Sequence, residues 1–423
     1  MEQEKKKKGK HLPHDLKQMQ RLPLEAKIRM SMSRLEVWFK SWARFDIENA
    51  EGKKRFEAID IRNPYAEPTL KEDERIVSVI DGQVYVAFSG GKDSTVVADL
   101  SARVCQANGW TLYLLFVNTG LEYPEIQKFV KEFAEWLRNT YKIEVVLDIV
   151  RPKMRFDEVI KTYGYPVIGK KQAEAIYLGR KNIKERKYTM RLRSLGIMPD
   201  EAEQMGLRLP DKQMLDRYEK TAQGSKYNIP QHRYLLDAEF DSSAICCDVM
   251  KKAPASEYQK ATGRKCILGT MAHESLMREA SWLKYGCNAF EKKTPTSQPI
   301  SFWTNQDILR YLKEYNIPYC PVYGEIVQKD GNENQITAFD ILEDFEDVPL
   351  ETTGCDRTGC IFCMFGCHRE AAPNRFQRLK ETHPRQYEYC IGGGEYDENG
   401  IWKPSKEGLG LSRVLDYIGV KYD

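Results

Sequence analysis

The chain is 423 residues long, with 65 Lys and Arg against 62 Asp and Glu, 41% hydrophobic and 30% charged. That length holds two or three domains with a real core, the hydrophobic share excludes wholesale disorder, and the charge balance excludes a uniformly basic nucleic-acid coat. The apolar run Leu112 to Val117 is far short of the ~20 residues that span a bilayer, and Lys5 to Lys8 and Lys10 have no apolar block behind them, so a soluble, cytoplasmic protein without a signal peptide is expected.

Residues 1 to about 75 read as a basic tail and a helical lead-in, with Leu35, Trp38, Phe39 and Trp42 at helical spacing and Pro64, Tyr65 and Pro68 marking a linker. They show no strand-like alternation. From Gln83 the character changes. Val84 to Phe88 is a short buried strand ending at Ser89-Gly90-Gly91, and Asp93 to Val104 reads as a helix. Leu112 to Val117 is a second strand, Pro124 to Tyr141 an amphipathic helix with Pro in its first turn, and Val145 to Val150 a third strand. Cys266 to Gly269 reads as a fourth, followed by a helix through Trp282. Strand and helix alternating at this spacing imply an α/β fold, a doubly wound and mostly parallel sheet covered on both faces. We place this α/β domain at 76–325.

An insertion at about 164–258 departs from that rhythm. Within it, Lys170 to Arg193 holds nine basic residues against Glu174 and Glu185, a local net charge of +7 in a chain whose total is +3. Such a stretch suits DNA or tRNA phosphates, with Tyr177 and Tyr188 available to stack on bases; a solvated helix face carries the same pattern. The remainder, 326–423, passes through an acidic stretch, Glu343 to Glu351, into a cysteine-rich segment.

Ser89-Gly90-Gly91-Lys92-Asp93-Ser94 sits where a strand hands over to a helix. The glycines let backbone approach an anion, the helix N-terminus offers free N–H groups, and Lys92 with the serine hydroxyls adds donors. The spacing is not that of a Walker loop. This hexapeptide resembles the pyrophosphate (PP) loop of the adenine nucleotide alpha-hydrolase-like superfamily, which includes ATP pyrophosphatases and the phosphoadenosine phosphosulfate (PAPS) reductases. Thr119-Gly120-Leu121-Glu122-Tyr123-Pro124-Glu125 resembles the family's Thr-Gly-x-x-Phe-Pro-Glu segment, with Asn118 where Asp is usual. Gly269, Ser275 and Arg278 resemble its later nucleotide-contacting region, although Met271 stands where an arginine is expected. Pro299 to Thr304 with Asp307 and Ile308, then Ile317-Pro318-Tyr319, resemble its Pro-Leu-x-x-Trp-Thr-x-x-Asp-Val run and Ile-Pro-Tyr sequel. The resemblance implies a Rossmann-like sheet with an adenine nucleotide at the carboxyl ends of the strands. It names Ser89, Gly90, Gly91, Lys92, Asp93, Ser94, Thr119, Gly120, Gly269 and Arg278 as nucleotide-binding, with Lys92 and Asp93 catalytic and Mg2+ accompanying the nucleotide.

A cytosolic chain gives its eleven cysteines no disulfide role, and they cluster. Cys246-Cys247 resembles the Cys-Cys element of assimilatory adenylylsulfate reductases, which joins a distant Cys-x-x-Cys to hold a 4Fe-4S cluster; Cys360 and Cys363 supply that half. Four soft thiolates suit an iron–sulfur cluster. Cys355, Cys360, Cys363 and Cys367, with His368 nearby, form an alternative set for zinc or a cluster. Cys105, Cys266, Cys287 and Cys320 read as buried small hydrophobes.

PAPS and adenylylsulfate reductases usually carry a degraded loop and attack with a cysteine in Glu-Cys-Gly-x-His. Here the loop is intact and that motif is absent; Cys390-Ile391-Gly392 is the nearest approach. The combination resembles instead the sulfur-incorporating members of the superfamily. It implies an ATP-binding, α–β phosphate-cleaving sulfurtransferase-like enzyme with an iron–sulfur cluster, supplied by a sulfur donor protein and acting on nucleic acid. Two alternatives stay open: a sulfonucleotide reductase using an atypical nucleophile such as Cys390, and a non-enzymatic, zinc-containing nucleic-acid-binding module.

Overall fold

The computed structural model describes residues 11–58, 68–80, 83–223, 228–329 and 348–423. The basic tail, Pro64 and Tyr65 of the linker, and residues 343–347 of the acidic stretch lie outside them. The chain forms two compact units: Met1–Asn118, Glu122–Val150 and Ala255–Thr358 make the first, and Thr119–Leu121, Arg151–Pro254 and Gly359–Asp423 the second.

The helical lead-in is present as α1 (Pro13–Gln20) and α2 (Leu24–Ser41). It is followed by a three-stranded antiparallel sheet that its helical periodicity did not foretell: β1 (Arg44–Asn49), β2 (Lys54–Ala58) and β3 (Glu74–Ile80), in the order β2-β1-β3. The reason is burial. Phe56, Ile76 and Val77 are exposed and only Ile47 of β1 is fully buried, so the pattern that betrays a half-buried strand is weak here. Beyond it come β4 (Val84–Ala87), α3 (Lys92–Asn108), β5 (Leu112–Val117), α4 (Pro124–Tyr141) and β6 (Val145–Val150), with β5, α4 and β6 at the bounds expected from sequence.

Residues 151–254 carry α5 (Phe156–Tyr163), α6 (Lys170–Lys184), α7 (Met190–Ser194), α8 (Pro199–Gln204) and α9 (Lys212–Gln223), then a single π-turn at Asp248–Lys252 that runs into α10 (Ala253–Thr262). Next are β7 (Lys265–Ile267), α11 (Leu276–Tyr285), β8 (Asn288–Ala289), β9 (Thr296–Ser297), α12 (Asn305–Glu314), β10 (Ile326–Gln328) and β11 (Leu350–Thr352). The cysteine-rich end holds α13 (Arg375–Thr382), α14 (Pro384–Ile391), β12 (Glu395–Tyr396), β13 (Trp402–Lys403) and α15 (Leu411–Tyr417).

The main sheet lies in the first unit with strand order β6-β5-β4-β7-β9-β8, parallel except for the edge strand β8. The chain winds outward from β4 through β5 to β6, then returns to the other side of β4 with β7. This doubly wound α/β topology puts the reversal of strand order beside β4, where such sheets bind ligands. Alternate residues explain the two layers. Val84, Val86, Leu112, Leu114 and Phe116 join one core with α2, α3, α4 and α12, while Tyr85, Leu115 and Cys266 pack on the other face against Tyr258 of α10.

The Pro299–Asp307 run anchors this core. Trp303 is fully buried and donates its indole N–H to Ser31 Oγ at 3.0 Å, and Ser31 donates to the Pro299 carbonyl at 2.9 Å. Thr304 and Asp307 form the capping box of α12. Asp307 also takes the Lys27 ammonium at 2.8 Å, with the two residues 6% and 2% exposed. Removing one partner of a buried pair strands the other charge. Lys27→Met is therefore expected to lower stability by about 3–5 kcal/mol, seen as a lower urea midpoint, whereas Lys27→Met with Asp307→Asn loses less than the two single variants added together.

Candidate functional site: the phosphate loop and the cysteine set

β4 is buried on both faces, so the chain leaving it must turn at once into α3. Gly90 makes that turn with φ +72°, a left-handed conformation in which a Cβ would stand 2.9 Å from Ile126 Cγ2 of α4. Gly91 is the N-cap of α3. Ser94 Oγ accepts from the Ser89 N–H at 3.2 Å, lies 3.1 Å from Ser89 Oγ and donates to the Gly91 carbonyl at 2.8 Å. These bonds preshape the loop. Of the free backbone donors of the helix end, the Lys92 N–H donates to the Tyr323 hydroxyl at 3.1 Å; the side-chain ammonium of Lys92 donates to the Asp356 carbonyl at 3.0 Å.

Gly269, following β7, would place a Cβ 2.9 Å from the Asp93 carbonyl oxygen and 3.0 Å from Ser94 Cα. It thus brings β7's exit against the first turn of α3. Arg278, in the first turn of α11, pairs with Glu274, which also pairs with Arg357. Burial and the neighbouring Arg357 guanidinium push Arg278 below its ordinary value, with Asp93 opposing them. A cavity of about 310 Å³ opens beside the loop, with Lys92, Asp93, His273, Glu274, Asp356 and Arg357 in its wall. Of the sequence-derived nucleotide residues, the structure brings Ser89 to Ser94, Gly269 and Arg278 together in the first unit. Thr119 and Gly120 belong to the second, where the Leu121 carbonyl accepts the Ile361 N–H at 2.9 Å. Sequence reasoning missed Tyr323, Asp356 and Arg357, which carry no motif of their own.

A family model described as the phosphoadenosine phosphosulfate reductase domain matches residues 83–176 and 200–365, more than half of the chain. The chain belongs to the PAPS reductase family. The matched residues contain the loop, the sheet's switch point and all four expected cluster cysteines, Cys363 lying two residues before the end of the match. The family places the chain among nucleotide-binding proteins of the PP-loop and sulfonucleotide reductase kind. No curated protein matches the chain.

Two expected cofactors can be weighed against the donors. Asp93 Oδ1 is buried with no hydrogen-bond partner and has the Lys92 ammonium 3.8 Å away, a carboxylate oxygen suited to a hard cation such as Mg2+. In the second unit, Cys246 and Cys247 hydrogen-bond to each other, and Cys246 also senses Cys363 and Cys360. The hydrogen bond from Cys246 and the ammonium groups of Lys170 and Lys251 hold the Cys247 thiol well below its usual range, while Cys246 is pushed up. The donor chemistry fits a cluster, although among the described residues no three His, Cys, Asp or Glu side chains stand at metal-ligand spacing. Cys355 belongs to the first unit, and Cys367 donates its thiol to the Met364 carbonyl at 3.0 Å. Cys390 is fully buried in α14, and that burial pushes its thiol up.

The basic arm forms α6 and α7, and much of its charge is already answered within the second unit. Arg180 donates to the carbonyls of Leu235, Leu236, Ala238 and Phe240 and to Asp241. Arg193 forks onto Glu219 at 2.7 and 3.0 Å, Arg191 faces Glu174, and Lys181 and Lys187 share Glu185. Tyr188 is 3% exposed with its hydroxyl on the Ile197 carbonyl, so it packs and offers no face for a base. Among the described residues no helix is long and apolar enough to cross a membrane.

The close approach at Gly269 gives a direct test. Gly269→Ala should displace the first turn of α3 and weaken adenine-nucleotide binding by tenfold or more in a titration. Gly109→Ala, at the far end of the same helix with φ +70° and nothing within 4 Å of the added Cβ, is expected to lower thermal stability and leave binding unchanged.

Proposed function

We propose that the chain is an ATP-dependent, α–β phosphate-cleaving sulfurtransferase-like enzyme with a 4Fe-4S cluster. The observation that supports this most is the preshaped, complete loop at the switch point of a PAPS reductase-family sheet. Ser89, Gly90, Gly91 and Ser94 cradle the departing phosphates with backbone and hydroxyl donors, and Lys92 stabilises the charge that develops on them. An oxygen of the acceptor attacks the α-phosphorus, the α–β bridge breaks, and pyrophosphate leaves. A sulfur nucleophile then displaces AMP from the activated acceptor. Asp93 would hold Mg2+, which when bound offsets phosphate charge. Thr119, Gly120, Gly269 and Arg278 complete nucleotide contacts. Cys246, Cys247, Cys360 and Cys363 would hold the cluster, which when bound supplies sulfur or electrons for the transfer. The acceptor class is nucleic acid, met by the basic stretch Lys170 to Arg193, and a sulfur donor protein and a cytoplasmic setting accompany this reading. A reductase that attacks through Cys390 is less favoured, because a buried thiol with a raised pKa is a poor nucleophile.

Two measurements test it. The wild-type chain should exchange labelled pyrophosphate into ATP, and Lys92→Ala should abolish the exchange; exchange at the wild-type rate in that variant sinks the ATP reading. Protein isolated without oxygen should contain iron and acid-labile sulfide in equal amounts, both lost in Cys360→Ser and Cys363→Ser. Zinc without sulfide would point instead to the non-enzymatic module.

A further inference from the structure

The strap that precedes the Cys-x-x-Cys places a cation beside the loop that the residues so far assigned to the nucleotide do not include. Arg357 lines the same cavity as Lys92 and Asp93, and its side chain is 70% exposed. Its guanidinium is paired to Glu274, whose other oxygen takes Arg278. Glu274 itself is 10% exposed. Next to Arg357, the Asp356 carbonyl occupies the Lys92 ammonium at 3.0 Å. The Thr358 hydroxyl lies 2.8 Å from the Tyr323 hydroxyl, which in turn takes the Lys92 N–H. A Cβ on Gly91 would stand 3.0 Å from Thr358 Oγ1.

Residues 356 to 358 therefore stand against the donors that the loop offers to an anion. An entering phosphate must take Lys92 from the Asp356 carbonyl, and the strap must shift to allow it. Arg357 is the cation that moves with that strap. Its release strands no charge, because Glu274 keeps Arg278 when Arg357 leaves. A guanidinium forks onto phosphate oxygens as readily as onto a carboxylate, so one charge-assisted pair replaces another.

We propose that Arg357 is a phosphate-binding residue of this site, delivered by the strap to the pyrophosphate moiety of a nucleoside triphosphate, and that Glu274 is the carboxylate that holds it until the anion arrives. The proposal rests on the nucleotide reading given above and adds to it a residue, a ligand moiety and a displacement.

Calorimetric titration of the full chain with ATP, inorganic pyrophosphate and AMP tests it. Arg357→Ala is expected to weaken ATP and pyrophosphate at least tenfold and AMP less than twofold, and Arg357→Lys to recover part of the loss. Glu274→Gln should tighten ATP and pyrophosphate, because it loosens the competing pair. A purely structural Arg–Glu contact predicts the opposite for the last variant, so weaker binding in both Arg357→Ala and Glu274→Gln overturns the proposal. Unchanged binding in Arg357→Ala, with loss in Lys92→Ala, overturns it too while leaving the nucleotide reading intact. Failure of the wild-type chain to bind ATP or pyrophosphate removes the nucleotide reading and this proposal with it.

Discussion

The backbone donors at the start of α3 are the constraint around which the first unit is arranged. A helix begins with N–H groups that no earlier turn can satisfy, and here that beginning abuts a strand buried on both faces, where water cannot serve them freely. Ser94 ties the loop to Ser89 and Gly91, and the Tyr323 hydroxyl answers the Lys92 N–H. Each solution is polar and exchangeable. The Lys92 N–H that the tyrosine hydroxyl satisfies, like the Lys92 side-chain ammonium that a strap carbonyl takes, can be satisfied by phosphate oxygens, so the backbone part of the site is built from a requirement of the fold.

A loop of this kind binds well only if the helix behind it cannot drift. Buried charge supplies the rigidity. Asp99, within α3, has a fully buried side chain and takes hydrogen bonds from Tyr141 at the end of α4 at 2.6 Å and from Tyr311 of α12 at 2.5 Å, with Arg103 3.1 Å away. Burial raises the Asp99 carboxyl, and Arg103 and the two hydroxyls pull it back. Lys27 and Asp307 act likewise between α2 and α12. Such groups tolerate one geometry, in which every donor and lone pair is met. Together they fix three helices about α3, whose first turn carries Lys92 and Asp93.

Legibility in the sequence follows burial and locality. β5, α4 and β6 could be bounded from the chain alone because each is strongly apolar or amphipathic and ends at a strong signal: Asn118-Thr119-Gly120 after β5, and Pro124 at the start of α4. The loop was legible because its chemistry lies in six consecutive residues. β1 to β3 were not, since Phe56, Ile76 and Val77 are exposed and Ile47 alone of β1 is fully buried, which leaves periodicity little core to report. Tyr323 and Asp356 were invisible for another reason: they act through a hydroxyl and a backbone carbonyl brought to the loop from more than 200 residues away. Neither atom has a sequence pattern. The family's Trp-Thr-x-x-Asp run was visible as a resemblance, but its work here, closing a core and capping α12, emerges only from the contacts of Trp303 and Asp307.

The second unit turns the charge reading of the chain around. Nine cations between Lys170 and Arg193 suggest an external polyanion when counted along the sequence. In the folded unit Arg180 is taken up by carbonyls at the end of a turn, Arg193 by Glu219, and Lys170 by the Cys247 thiol. That last contact has the greater consequence. Adjacent thiols such as Cys246 and Cys247 repel each other once ionised, and burial raises the cost further; a nearby ammonium offsets both effects. Lys251, on the π-turn that follows, adds a second cation, and Arg375 places a third beside Cys363. Much of the basic arm is answered by carboxylates and carbonyls of its own unit, and the charge left for an outside partner is smaller than the sequence count implies.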